Sequence, residues 1–192
     1  MDSQDLTAST DEDLDLIGRS LAGDSDAYGR LVGLYQAHVA GILWRFSRDR
    51  AVHEELVQDT FVEVYVHLRG FKARAPFPHW LSRIATRVGY RYWRQMARHR
   101  SVGHLTSEQW HLIKGDRTGD LEAGEAADLI HRLFEQLGPR DRLVLTLRFI
   151  EELDVAQTAL RTGWTQTMVK VQTLRARRRL EKILTQGYEG LP

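Results

Sequence analysis

Apolar residues recur at helical spacing along most of this chain, and nowhere do they alternate with polar ones over the length of a strand. Leu14, Ile17 and Leu21 begin the series. Gly23-Asp24-Ser25-Asp26 then ends that helix and caps a second one over residues 27–46. Its apolar face is Leu31, Leu34, Tyr35, Val39, Ile42, Leu43 and Phe46. Asp49 or a neighbour opens a third helix, in which Leu56, Val57, Thr60, Phe61, Val64, Tyr65 and Leu68 form one stripe and Gly70 marks the end. Glu54, Glu55, Gln58, Asp59 and Glu63 fall largely off that stripe, which gives the helix a core face and an acidic-polar face. Pro76 and Pro78 put residues 72–79 in a loop. A fourth helix starts near Trp80, with Leu81, Ile84, Ala85 and Val88 inward.

The periodicity fades over residues 101–124, where Gly103, Gly115, Gly119 and Gly124 stand among scattered polar residues. This stretch is expected to be a flexible linker, with at most a transient helix around Trp110. Periodicity returns with Leu129, Ile130, Leu133, Phe134 and Leu137, stops at Gly138-Pro139, and restarts with Leu143, Val144 and Leu147. A short helix over 154–161, a turn at Gly163 and a last helix over 165–184 complete the pattern. The expected class is all-α, with two small helical domains at 14–100 and 126–186. Residues 1–13 form an acidic tail, 101–125 the linker and 187–192 a short tail.

A chain of 192 residues suffices for two such bundles. The net charge of +1 conceals strong segregation. The start carries Asp2, Asp5, Asp11, Glu12, Asp13 and Asp15 before any basic residue. Residues 71–100 contain no acid but hold Lys72, Arg74, Arg83, Arg87, Arg91, Arg94, Arg98 and Arg100. Residues 170–182 are basic again. Such segregation argues for an anionic partner more strongly than the net charge does. The absence of cysteine excludes disulfides and thiolate metal sites. No signal peptide is visible and no apolar run approaches the ~20 residues of a membrane span, so the chain is expected to be soluble and cytoplasmic.

Two segments carry candidate chemistry. Ala159, Gly163 and Val169 stand at the offsets of a helix-turn-helix: a small residue where the helices cross, a residue tolerating positive φ in the turn, and an apolar residue facing back into the core. Thr165 can cap the second helix, which then presents Lys170, Arg175, Arg177, Arg178, Arg179 and Lys182, a surface suited to a major groove and its phosphates. The bland reading is a helical hairpin with a solvated charged face. In the earlier segment Lys72, Arg74, Phe77, His79, Trp80, Arg83, Arg87, Tyr90, Arg91, Tyr92, Trp93 and Arg94 interleave cations with aromatics, as in proteins that follow a phosphate backbone and stack unpaired bases. Trp80 reads more readily as core. Tyr92 and Trp93 cannot both face inward, being ~100° apart on a helix.

These residues together carry a resemblance to the extracytoplasmic-function type of the sigma-70 family. Glu54-Glu55-Leu56-Val57-Gln58-Asp59-Thr60-Phe61 resembles the family's EDLVQETF segment, and Phe77-Pro78-His79-Trp80-Leu81-Ser82-Arg83-Ile84-Ala85 its F-R-T-W-L-Y-R-I-A segment. Leu137-Gly138-Pro139-Arg140-Asp141-Arg142, continued by Val144-Leu145-Thr146-Leu147-Arg148, resembles L-P-x-x-x-R-x-V-L-x-L-R. Val169-Lys170 with Leu174-Arg175-Ala176-Arg177 resembles T-V-K-S-R-L-H-R-A-R. The resemblance implies a sigma-2-like bundle and a sigma-4-like helix-turn-helix domain. It implies core RNA polymerase as partner, through its clamp helices and flap, with Glu54, Glu55, Gln58 and Asp59 facing the clamp. It implies promoter DNA: the −10 element through Lys72, Arg74, Phe77, His79, Arg83, Arg87, Tyr90, Arg91 and Arg94, and the −35 element through Thr165, Gln166, Lys170, Val171, Leu174, Arg175, Arg177 and Arg178. It further implies an anti-sigma factor, no cofactor and no enzymatic activity of the chain's own. Arg87 and Arg91 depart from the family by replacing a neutral and an acidic residue. Thr158, Thr162 and Thr173 stand where Ile or Leu is usual, which places hydroxyls in need of partners in the second domain.

Two other classes are weighed against this. A stand-alone helix-turn-helix regulator binding an operator as a dimer would need a dimerisation surface, and no heptad supplies one. For a helical enzyme or metal protein, the spacing of His99, His104, His111 and His131 matches no ligand motif, and no phosphate loop or nucleophile motif is present.

Overall fold

A computed structural model describes residues 11–99 and 123–189. The described residues form eight α-helices and no strand, in two helical units. Residues 101–122 of the expected linker, the helix considered around Trp110, and His104 and His111 lie outside the described residues, whereas 123–125, expected at the linker's end, already belong to a helix.

The first unit holds α1 (Asp11–Leu21), α2 (Ser25–Leu43), α3 (Arg50–His67) and α4 (Phe77–His99). α1 packs on α2 and α2 on α3. Local chemistry fixes the helix starts. Asp24 accepts hydrogen bonds from the Asp26 and Ala27 amides, and Asp49 accepts one from the Val52 amide. α3 closes in a 3-10 turn at Leu68–Gly70. α4 opens at Phe77, earlier than the sequence pattern suggests. Pro78 sits in its first turn, where a missing N–H costs nothing. The irregular stretch therefore covers only residues 71–76, with Ala73 at φ 51°.

α1 also differs from the sequence reading. Leu14 and Leu21 are exposed, and the inward face is Asp13, Leu16, Ile17 and Ser20. Asp13, expected in the acidic tail, is buried in the helix. Both its carboxylate oxygens accept from the Tyr35 hydroxyl, at 2.8 and 2.9 Å. Burial, and then Asp13, push the Tyr35 phenol above its usual range. Leu34 likewise turns outward, whereas Leu31, Tyr35, Val39, Ile42, Leu43 and Phe46 are buried.

α4 is seated by aromatic packing. Trp93 is buried, donates from Nε1 to the Phe46 carbonyl at 2.8 Å, and packs its ring 4.4 Å from that of Phe46. Tyr92 stays half-buried, so one of the adjacent pair faces inward, as helix geometry requires. Gly89 lies directly under the Phe46 ring. A Cβ there would stand 2.3 Å from a ring carbon.

The second unit holds α5 (Ala123–Glu135), α6 (Pro139–Leu145), α7 (Val155–Thr162) and α8 (Gln166–Glu189), with a π-helical turn at Thr146–Ile150 after α6. α8 runs past Leu184, so residues 187–189 belong to the helix. Gly138 caps α6, with Pro139 in its first turn. A reciprocal capping box starts α7: the Asp154 amide donates to Gln157 Oε1, and the Gln157 amide to Asp154 Oδ1. Gly163 turns the chain at φ 76°, which favours a residue without Cβ. Thr165 caps α8 by accepting from the Met168 amide at 3.1 Å. Ala159 and Val169 join Phe134, Leu137, Val144, Leu145 and Ala176 in one core, with Trp164 packed at its edge. The threonines that replace Ile or Leu include two whose hydroxyls are satisfied on their own helix: Thr158 donates to the Asp154 carbonyl and Thr173 to the Val169 carbonyl.

Candidate functional site

Three surfaces emerge. The first is the outward face of α3. Glu54, Glu55, Gln58 and Asp59 are all exposed, and Glu54 accepts from Arg50 Nε on its own helix at 2.9 Å. At ~100° per residue, Glu55, Gln58, Asp59, Val62 and Val66 fall within an arc of roughly 100°, opposite the Leu56–Thr60–Val64 core. Val62 and Val66 are 62% and 66% exposed. Neither appears among the sequence-read site residues, although they lie seven positions, close to two helical turns, beyond Glu55 and Asp59 respectively. The face is thus acidic in its first half and apolar in its second, the mixture found on protein-binding surfaces. Tyr65, read as core, is 57% exposed on the flank, with its ring edge-on to Tyr28 at 5.0 Å.

The second surface is α4 with the loop before it. His79, Arg83, Arg87, Arg91, Arg94 and Arg98 are exposed, and with half-buried Tyr90 they occupy an arc of roughly 120° along the helix. Lys72 and Arg74 are exposed in the loop. Phe77 is not available to stack on a base: it is 1% exposed and packs edge-on against Tyr35 and Phe71. With Trp80 these rings make an aromatic cluster under the start of α4. The interleaved aromatics therefore serve largely to seat the helix that carries the cations.

Glu63 departs from its expected place on the acidic face of α3. It lies on the flank, where one carboxylate oxygen accepts from Arg87 at 2.7 Å and the other from Arg91. Burial would raise the Glu63 carboxyl, but hydrogen bonds from Arg91 and Arg87 outweigh it and hold the group below its usual range. Arg87 and Arg91 are thus partly neutralised from within. A contact spanning 24 and 28 residues leaves no local trace in the sequence.

The third surface is α8. Lys170, Val171, Leu174, Arg175 and Arg178 are exposed on the side opposite Val169 and Ala176, while Gln166 and Arg177 are exposed on the flank. Arg179 turns to the other flank and donates to buried Asp141, which also accepts from Gln172 Nε2. Asp141 thereby ties α6 to α8 and sets the rotation of the exposed face. At its edge the Arg140 guanidinium lies over the Trp164 ring, 5.6 Å from its centre. Among the described residues no group of three or more His, Asp or Glu side chains is arranged to hold a metal ion, and no helix is long and apolar enough to cross a membrane.

Comparison with known proteins gives these surfaces a context. The model of Sigma-70 region 2 matches residues 31–99 and that of Sigma-70, region 4, matches residues 127–180. The chain is similar to the RNA polymerase sigma-H factor of Pseudomonas aeruginosa, at 29% identity over 91% of this chain and 94% of that protein. It is also similar to the ECF RNA polymerase sigma-E factor of Haemophilus influenzae, at 27% identity over 86% and 92%. Among solved structures it resembles CnrH in complex with the cytosolic domain of CnrY, at 25% identity and a TM-score of 0.50 over 92% of this chain and 99% of that one. The sigma factor RpoE, in complex with the anti-sigma factor NepR from Bartonella quintana, shares the fold with a TM-score of 0.53 at 18% identity, over 82% of this chain and 96% of that one. With both regions matched in order and relatives aligned over most of its length, the chain belongs to the sigma-70 family, among its extracytoplasmic-function sigma factors.

Proposed function

We propose that this sigma factor divides promoter-directed initiation among its three surfaces. The α3 face of Glu55, Gln58, Asp59, Val62 and Val66, with Glu54 at its edge, docks on core RNA polymerase. The basic face of α4, with Lys72 and Arg74, follows the DNA at the −10 element. The exposed side of α8 reads the −35 element through Lys170, Val171, Leu174 and Arg175, with Thr165, Gln166, Arg177 and Arg178 toward the backbone. The observation that carries this reading is the separation of an acid-and-apolar face from two basic faces on one chain, in the family's order. Val171 and Leu174 offer apolar contacts for thymine methyls, and Arg175 a bidentate donor for guanine. Phe77 is left out of the DNA-facing set because it is core. The reaction is the polymerase's; the chain supplies binding and positioning. The CnrH–CnrY and RpoE–NepR complexes support control by an anti-sigma protein. With family membership spanning both units, nothing favours a stand-alone regulator.

The test is transcription by core polymerase, with and without the chain, on a promoter library, alongside pull-down of core by Asp59→Arg. Asp59→Arg is expected to abolish capture of core while thermal unfolding stays unchanged. Normal capture would remove the α3 face from the docking role.

A further inference from the structure

The Glu63–Arg87–Arg91 cluster has a chemistry of its own. Arg87 and Arg91 stand one turn apart on the basic stripe, and residues 71–100 supply no acid to balance them. The carboxylate comes instead from α3 and takes one guanidinium on each oxygen. Two arginines a turn apart around one tetrahedral or trigonal oxyanion is the arrangement in which a backbone phosphate would be held. The arginine side chains remain about half exposed while that of Glu63 is 21% exposed, so their outer donors still face water. Two cationic charges and one anionic charge leave the cluster at a net single positive charge.

We propose that Glu63 is a specificity-determining residue: an internal stand-in for phosphate that occupies Arg87 and Arg91 and lowers the affinity of the α4 face for duplex DNA of arbitrary sequence. Discrimination then falls to contacts with bases, which phosphate binding does not supply. This rests on α4 facing DNA. It also gives the two family-departing arginines a role that does not add to indiscriminate binding.

The experiment measures binding of the full chain to a short labelled duplex of arbitrary sequence, by fluorescence anisotropy across a salt series. Glu63→Gln keeps the shape and removes the charge. It is expected to bind about threefold tighter at the low-salt end, with a salt slope steeper by about 0.9, the value of one added phosphate contact. The same substitution in an Arg87→Gln/Arg91→Gln background is expected to produce no increment. An unchanged slope, an increment that persists without the arginines, or no measurable binding by either protein overturns the proposal. Thermal unfolding is followed for each variant, and Glu63→Ser is read in the same way should the glutamine variant unfold. Promoter-directed transcription by the wild-type chain with core polymerase separates the two levels. Its absence sinks the DNA-facing reading itself, whereas normal transcription with an unchanged slope sinks only the role of Glu63.

Discussion

Each unit carries one basic helix, and each uses a single carboxylate from a neighbouring helix to fix it, but the two acids stand in different surroundings. Asp141 is 2% exposed and holds α8 through Gln172 and Arg179. Glu63 keeps a fifth of its side chain in water and holds α4 through Arg87 and Arg91, while the seating of α4 is done by Phe46, Gly89 and Trp93. A buried acid that loses its partner is left as an uncompensated charge, whereas a solvated one is rescued by water. The same pairing is therefore structural in the second unit and adjustable in the first.

The largest effect should come from the seating of α4. Gly89→Ala forces a methyl into the Phe46 ring, which Trp93 prevents from moving away, and is expected to cost the first unit about 3 kcal/mol in denaturant unfolding. A loss below about 1 kcal/mol would show that the ring can yield, and would leave Glu63 as a more important anchor than the contrast allows. Next comes Arg179→Ala, which strips the charged partner from buried Asp141. Because Arg179 itself is largely exposed, the cost should fall below that of a fully buried pair, at about 2 kcal/mol in the same measurement. A near-zero change would place Asp141 with Glu63 and dissolve the comparison. Arg175→Ala sharpens it from the other side. Arg175 is exposed on the same helix, so stability should change by less than about 0.5 kcal/mol. Affinity for a matched −35 site should instead drop by roughly 1–3 kcal/mol, read as promoter binding by the reconstituted holoenzyme.

Much of this was legible in the sequence where the determinants are local. Asp24, Asp49 and Thr165 cap the helices their positions indicate, and Gly163 turns the chain where positive φ is needed. The exposure of Glu54, Glu55, Gln58 and Asp59 on α3 and of the basic positions on α8 follows from spacing alone. What escaped depends on contacts between distant elements. Asp13 looked like tail because a buried acid in a short helix makes sense only with Tyr35, 22 residues away. Phe77 looked like a ligand for bases because its role depends on Tyr35 and Phe71 closing over it. Leu14 and Leu21 have correct spacing but face outward, because a short helix with apolar residues on two sides does not reveal which side is covered. Val62 and Val66 were hidden by the same ambiguity in α3.

The hydroxyls of Thr60, Thr158 and Thr173 each donate to the carbonyl four residues before them on the same helix. In each case the local backbone supplies the acceptor. Such positions can pass between threonine and a branched aliphatic without any second change elsewhere, since neither state leaves another group stranded. The departures at Thr158 and Thr173 are in this sense mutationally silent: the local backbone absorbs each hydroxyl, and these two positions are free to vary without waiting for a compensating substitution.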